Sequence, residues 1–238
     1  MLNIFITSPE KREGKTFITA GLAATMQSLG YSTSVYKPIQ TSGIEINGFM
    51  QSPDLTFIKT TDPYINTHFS YLYKENAEPL IASEAENDPI DIDLINNEYK
   101  RILASSECLI TDGDSGLLTP LTHNIQNVDL IKRLDAPLLI ITTPSENCIN
   151  NTLMTLFSAH ERKIKIRGVI INNIKPNCPK TLLNSIPRII EEYSNTKVLG
   201  LVPAMQEKFS PEGLITSVLN GIDIESVFDV KIEKLDIS

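Results

Sequence analysis

The segment NIFITSPEKREGKTFITAGLAATMQSL, residues 3–29, passes from an apolar run through a polar loop into a helical pattern. Ile4, Phe5 and Ile6 form the run. Gly14, Lys15 and Thr16 close the loop, and Phe17, Ile18, Leu22, Met26 and Leu29 recur near helical spacing. Strand, loop, Gly-Lys-Thr and helix in this order make the pattern of a phosphate-binding loop. A helix start exposes unpaired N–H groups and a partial positive charge, so it attracts anions. Gly14 lets backbone approach phosphate oxygens, Lys15 reaches terminal phosphates, and the Thr16 hydroxyl suits Mg²⁺. The pattern is incomplete: Pro9 stands where the usual loop has its first glycine, and Ser8 where a loop longer by one residue would have it. An ordinary helix start with a solvated lysine is the competing reading; the strand before and the amphipathic helix after favour phosphate.

Further strand-like runs fall at 34–37, 108–111, 138–142, 168–171 and 197–202, several almost wholly apolar, as in strands covered on both faces. Helical patterns lie between them at 92–105, 127–133, 147–160 and 180–193. The alternation predicts one α/β domain spanning 1–238, a mostly parallel sheet with helices on both faces and a P-loop NTPase-like fold. Right-handed crossovers then gather the strand C-termini on one edge, where ligands bind. That edge receives 7–16, KPIQTSG at 37–43, DGDSG at 112–116, 143–151 and NNIKP at 172–176. Residues 60–89 read as an excursion with a short helix at 80–86. The tail 222–238 reads as a C-terminal extension, an extra strand or a loose end.

Composition narrows the partners. With 238 residues, 41% hydrophobic and 21% charged, the chain is that of a soluble globular protein, and its net charge of −8 leaves no basic footprint for nucleic acid. No apolar run approaches a membrane span, and MLNIFIT is too short and uncharged for a signal peptide. Cys108, Cys148 and Cys178 lack metal-ligand spacing and suit a reducing cytoplasm.

The edge segments together resemble dethiobiotin synthetase over nearly the whole chain, in order. ITSPEKREGKT sits where that family has its glycine–x5–GKT loop. YKPIQTSG is similar to YKPVQTG, SPD at 52–54 to a serine-x-aspartate element, and EPLIAS at 78–83 to Ala-Pro-x-x-Ala-Ala. ITDGDSGLLTPLT resembles VEGAGGLLVPL, CINNTLMTL resembles CINHTLLT, GVIINNIKP resembles GVVANxxxP, and VLGLVP resembles LLGxIP. The resemblance implies an ATP- and Mg²⁺-dependent cyclo-ligase of biotin biosynthesis, usually a homodimer. Its substrates would be 7,8-diaminononanoate, CO2 and ATP. One amine takes up CO2 as a carbamate, the carbamate oxygen attacks the γ-phosphate, and the second amine displaces phosphate to close a cyclic urea.

The same resemblance assigns roles. Lys15 and Lys37 would flank the carbamate and γ-phosphate. Thr41 would contact substrate, with Lys11 beside it and Asn150 reaching the substrate of a partner subunit. Thr16, Asp54 and Asp112 would hold Mg²⁺. Arg12, Glu13, Gly14 and Phe17 would add nucleotide contacts, Asn172 and Asn173 would lie at the adenine, and Pro203 and Glu207 at the last nucleotide contacts. Each has a plainer alternative: Lys37 as a surface lysine, Asp54 as a helix cap, Asn172 as a turn residue, Asn150 as a helix-start residue.

Departures cluster in the chemical loops. Ser8 replaces a glycine, costly if that backbone needs positive φ. Pro9 lacks an N–H. Lys11 and Arg12 add cations that would attract phosphate or pair with Glu10. Asp112 is one methylene shorter than the family's glutamate, and Asp114-Ser115 replaces Ala-Gly. A divergent dethiobiotin synthetase is one reading. The alternative is a paralogous P-loop ATPase or nucleotide-binding protein with another substrate or a protein partner.

Overall fold

The computed structural model describes residues 1–205 and 209–231. In chain order it runs β1 (Leu2–Thr7), α1 (Lys15–Ser28), β2 (Thr33–Gln40), β3 (Ile44–Ile46), β4 (Phe49–Gln51), α2 (Pro53–Thr61), β5 (Asn66–Leu72), α3 (Pro79–Ala85) and α4 (Ile92–Ala104). There follow β6 (Cys108–Asp112), α5 (Asn127–Leu134), β7 (Leu138–Thr142), α6 (Cys148–Glu161), β8 (Ile166–Ile174), α7 (Lys180–Ser194), β9 (Val198–Pro203), α8 (Pro211–Gly221) and α9 (Ile224–Phe228).

Seven strands pair in parallel in the order β5-β2-β6-β1-β7-β8-β9, and β3 and β4 form a separate hairpin. The central strands β1, β6 and β7 are apolar because both faces are covered. Ile4 and Ile6 pack toward α1 and α8, while Phe5 packs toward the layer of α4 to α7. Burying each such side chain stabilises the fold by about 1.5–3 kcal/mol. Helix α1 lies so close to α8 that a β-carbon at Gly21 would fall 2.5 Å from Val218 Cγ2. This packing sets where the phosphate loop delivers its lysine.

Chain order reverses about β1. It sits between β6 and β7, while β2 lies beyond β6. Such a switch point opens a crevice at the strand C-termini, and loop 8–14 occupies it.

Two expectations need correction. Residues 60–89 hold an edge strand, β5, besides helix α3. Its sequence NTHFSYL has a single buried residue, so no apolar run announces it. Among the described residues, the chain from Ile222 to Lys231 adds no further strand beyond one isolated bridge to Gly200, and 232–238 lie outside them. It forms α9, whose Ile224, Val227 and Phe228 are buried in the core. Glu207 lies outside the described residues. Among the described residues, no helix is long and apolar enough to cross a membrane.

Candidate active site

Loop 8–14 joins β1 to α1 and is stitched to the loop after β6. Gly113 N–H donates to the Ile6 carbonyl (2.9 Å) and Gly116 N–H to the Ser8 carbonyl (2.8 Å). The Thr7 hydroxyl donates to the Asp114 carbonyl at 2.6 Å. Gly14 precedes the helix at φ 80°, a left-handed backbone that glycine adopts without strain. A β-carbon there would meet the Asn172 amide nitrogen at 2.2 Å. That buried amide donates to the Glu13 carbonyl at 3.0 Å, so Asn172 supports the loop from below. Position 8 is not among the residues of positive φ; Arg12, at φ 68°, carries that conformation instead. The serine is therefore tolerated by the backbone.

Lys37, from β2, is the electrostatic hub. Its ammonium lies 2.7 Å from Asp54 Oδ2 and 3.0 Å from Asp112 Oδ2. Burial alone would drive Lys37 toward neutrality, but Asp112 and Asp54 more than offset it and raise its pKa. Asp112 is wholly buried, and burial pushes its carboxyl up against the pull of Lys37. Asp54, nearer the surface, is held below its usual value: burial, the largest single effect, pushes it up, and Lys37, Thr16 and Lys15 together more than offset it. Thr16 Oγ1 stands 3.4 Å from Asp112 Oδ2. Two cations, Lys15 and Lys37, thus balance two carboxylates.

The geometry of Asp54 has a local cause. Ser52, not Asp54, caps α2: its hydroxyl oxygen accepts from Leu55 N–H at 3.2 Å and its proton goes to Gln40 Oε1 at 2.7 Å. The start of α2 is thereby tied to the end of β2, which carries Lys37.

A cavity of about 390 Å³ opens here, lined by Lys11, Arg12, Gly14, Lys15, Thr16, Lys37, Thr41 and Asp54 among others. Asp112 lies beneath it, behind Lys37 and Thr16. Among the described residues, Asp112 Oδ1 is buried without a hydrogen-bond partner. An orphaned carboxylate oxygen beside a threonine hydroxyl and a second carboxylate fits a hard divalent cation that keeps waters and phosphate oxygens as its other ligands.

Other candidates make further contacts. Lys11 pairs with Glu78 (2.8 Å), not Glu10, whose carboxylate accepts from Asn151. The Phe17 side chain packs against the core layer that holds α1 and α8. Glu13 is buried, and burial raises its pKa despite the Thr143 contacts. Asn173 Oδ1 accepts from Lys175 and faces a separate cavity of about 470 Å³ beside Cys148. Asn150 lies exposed on α6 along a groove with Arg188 and Tyr193, and Pro203 ends β9. Ser115, Gln40, Ser52 and Glu78 were not among the expected site residues. Ser115 was visible only as a departure from glycine.

A glycine-punctuated loop at the switch point of a parallel sheet, with Lys15 and Thr16 opening a helix and an acid ending the neighbouring strand, defines the class of P-loop nucleotide-binding proteins. The family model described as an AAA domain matches residues 2–211, and the chain belongs to this family, which contains the dethiobiotin synthetases. It is 27% identical over 227 residues to the ATP-dependent dethiobiotin synthetase BioD of Bacillus cereus (strain G9842), covering 95% of this chain and 93% of that one. To the BioD of Bacillus licheniformis it is 27% identical over 229 residues, covering 96% and 97%. Solved structures share the fold: the MinD cell division protein of Aquifex aeolicus superposes with TM-score 0.59 at 14% identity, covering 98% of this chain and 99% of that one. A ParA family ATPase from Chlorobium tepidum TLS gives 0.58 at 15% identity, covering 97% and 94%. The relatives support an ATP-dependent enzyme of ligase type.

Proposed function

We propose that this chain is a dethiobiotin synthase: it closes a cyclic urea from 7,8-diaminononanoate and CO2 at the expense of ATP. The observation that carries the reading is that Lys15, which opens α1, and Lys37, on β2, border one cavity together with Thr16, Thr41 and Asp54. The reaction gathers a triphosphate and a carbamate, both anionic, so most of its catalysis is positioning and charge neutralisation.

Thr16, Asp54 and Asp112 would hold Mg²⁺, which supplies positive charge at the phosphates. Gly14 and the start of α1 present backbone N–H groups to the β- and γ-phosphates. Lys37, fixed by two carboxylates, holds the carbamate oxygen toward the γ-phosphorus. Lys15 neutralises charge that develops on the transferred phosphoryl group. Thr41 orients the diamino acid, with Lys11 and Arg12 at the rim. Asn172, Asn173, Pro203 and Glu207 are proposed for the nucleoside end.

Asn150 sits outside this cavity on exposed α6, beside exposed Met154 and Phe157. It contributes to a substrate only in a second copy of the chain. The proposed enzyme is a homodimer acting in the cytoplasm.

The test is phosphate release from Mg·ATP with and without the diamino acid and bicarbonate. The ligase requires both, and Lys37→Met should abolish turnover while nucleotide binding persists. Release independent of the diamino acid would instead support the ATPase alternative, for which the changes at Ser8, Asp112, Asp114 and Ser115 are the motive.

A further inference from the structure

Lys15 does not lie free in the cavity. Its ammonium donates to Ser115 Oγ at 2.6 Å and to Ser8 Oγ at 3.2 Å. Both serines are buried, Ser8 at 0% and Ser115 at 5% exposure. The two hydroxyls are 3.2 Å apart, and the Ser8 hydroxyl also reaches the Glu10 carbonyl at 2.5 Å. A hydroxyl has one proton and two lone pairs, and an ammonium has three protons. The Ser8 proton goes to Glu10, so Ser115 supplies the proton of the contact between the serines. Two of the three Lys15 protons are then committed, which leaves one for a ligand in the cavity that Lys15 borders.

We propose that Ser8 and Ser115 are a pair of positioning residues that hold the Lys15 ammonium in its phosphate-facing place before nucleotide arrives. The inference rests on the phosphate-binding role of Lys15 given above. Both positions depart from glycine in the resembling family, and the two departures meet at one atom. Ser8 and Ser115 come from different loops, so neither hydroxyl alone makes the cradle. Their lone pairs offset the cost of burying a cation. The loops themselves are joined by other bonds: Gly116 N–H to the Ser8 carbonyl and the Thr7 hydroxyl to the Asp114 carbonyl. Removing a serine hydroxyl leaves those intact. Pro9 offers no N–H, so loop 8–14 has one fewer backbone donor for phosphate, and more of the task falls on a well-aimed lysine.

A double-mutant cycle on binding of a non-hydrolysable ATP analogue with Mg²⁺ tests this, by calorimetry on the full chain. Ser115→Ala should weaken binding about tenfold, the effect of losing one bond to a charged group. Lys15→Ala should weaken it more, and the double variant should match Lys15→Ala alone. Ser115→Thr, which keeps the hydroxyl, should restore most of the affinity. Equal weakening by Ser115→Ala in both backgrounds, or none in either, overturns the proposal. Should Ser115→Ala fail to fold by its melting curve, Ser8→Ala replaces it in the same cycle with the same two outcomes. The cycle needs no turnover. An uncoupled cycle in a chain that makes the cyclic urea overturns the clamp alone. A coupled cycle in a chain that does not turn over overturns the ligase reading alone. Absence of analogue binding by the unmodified chain overturns both.

Discussion

Lys37 and Asp112 come from adjacent strands, β2 and β6, and meet at 3.0 Å with both side chains almost wholly withdrawn from water. Such a pair is costly to assemble and more costly to break, because removing Asp112 leaves the buried Lys37 ammonium with Asp54 as its one carboxylate partner among the described residues. Asp112→Ala should therefore lower unfolding stability by about 3 kcal/mol. Urea denaturation measures it. Adding Lys37→Met to that variant should recover much of the loss; an additive loss would mean the two residues are not energetically paired.

Gly14 faces two constraints at once, a φ of 80° and Asn172 in the path of any β-carbon. Gly14→Ala should weaken nucleotide binding at least about tenfold by displacing the loop. Combining it with Asn172→Ala removes the clash but not the backbone strain, so the double variant should still bind more weakly than Asn172→Ala alone. Equal binding by those two variants, measured by calorimetry, would show that strain plays no role.

Glu13 gives a pH prediction. Its carboxyl is raised from 4.5, chiefly by burial, with Thr143 opposing. The folded state thus favours the neutral acid, and that stabilisation is complete below the unfolded value and lost as pH rises through the folded one. At pH 7 the buried charge is a burden. Glu13→Gln should raise the melting temperature there by about 2–4 °C and have little effect near pH 4. A gain that is equal at both pH values would exclude the charge as its cause.

Ser52 links stability to the site. Ser52→Ala removes the cap of α2 and its bond to Gln40, and should cost about 1 kcal/mol. Because α2 carries Asp54, the Mg²⁺ concentration needed for nucleotide binding should also rise. Unchanged Mg²⁺ dependence alongside lost stability would confine Ser52 to a structural role.

Much of this architecture was legible in the chain. Strands such as 138–142 are continuous apolar runs because helices cover both faces, and their shortness and unbroken apolar character reveal them. The phosphate loop was legible from GKT in its context, despite Pro9. The edge strand β5 was not, since its single buried residue leaves polar residues along the strand. The pairing of Lys37 with both Asp54 and Asp112 was not legible either, because it depends on strand order, which sequence spacing does not carry. A carboxylate that ends an apolar strand needs a partner, but only the β2–β6 adjacency says which. The hydroxyl contacts to Lys15 were hidden for the same reason: residues 8 and 115 become neighbours only when β1 and β6 pair.

The central claim is that a carbamate oxygen attacks the γ-phosphate between Lys15 and Lys37, and oxygen labelling tests it most directly. With ¹⁸O-bicarbonate, the diamino acid and Mg·ATP in ordinary water, released phosphate analysed promptly by mass should carry one ¹⁸O drawn from CO2. Phosphate with no label, or label-free phosphate released equally without the diamino acid, would contradict the account.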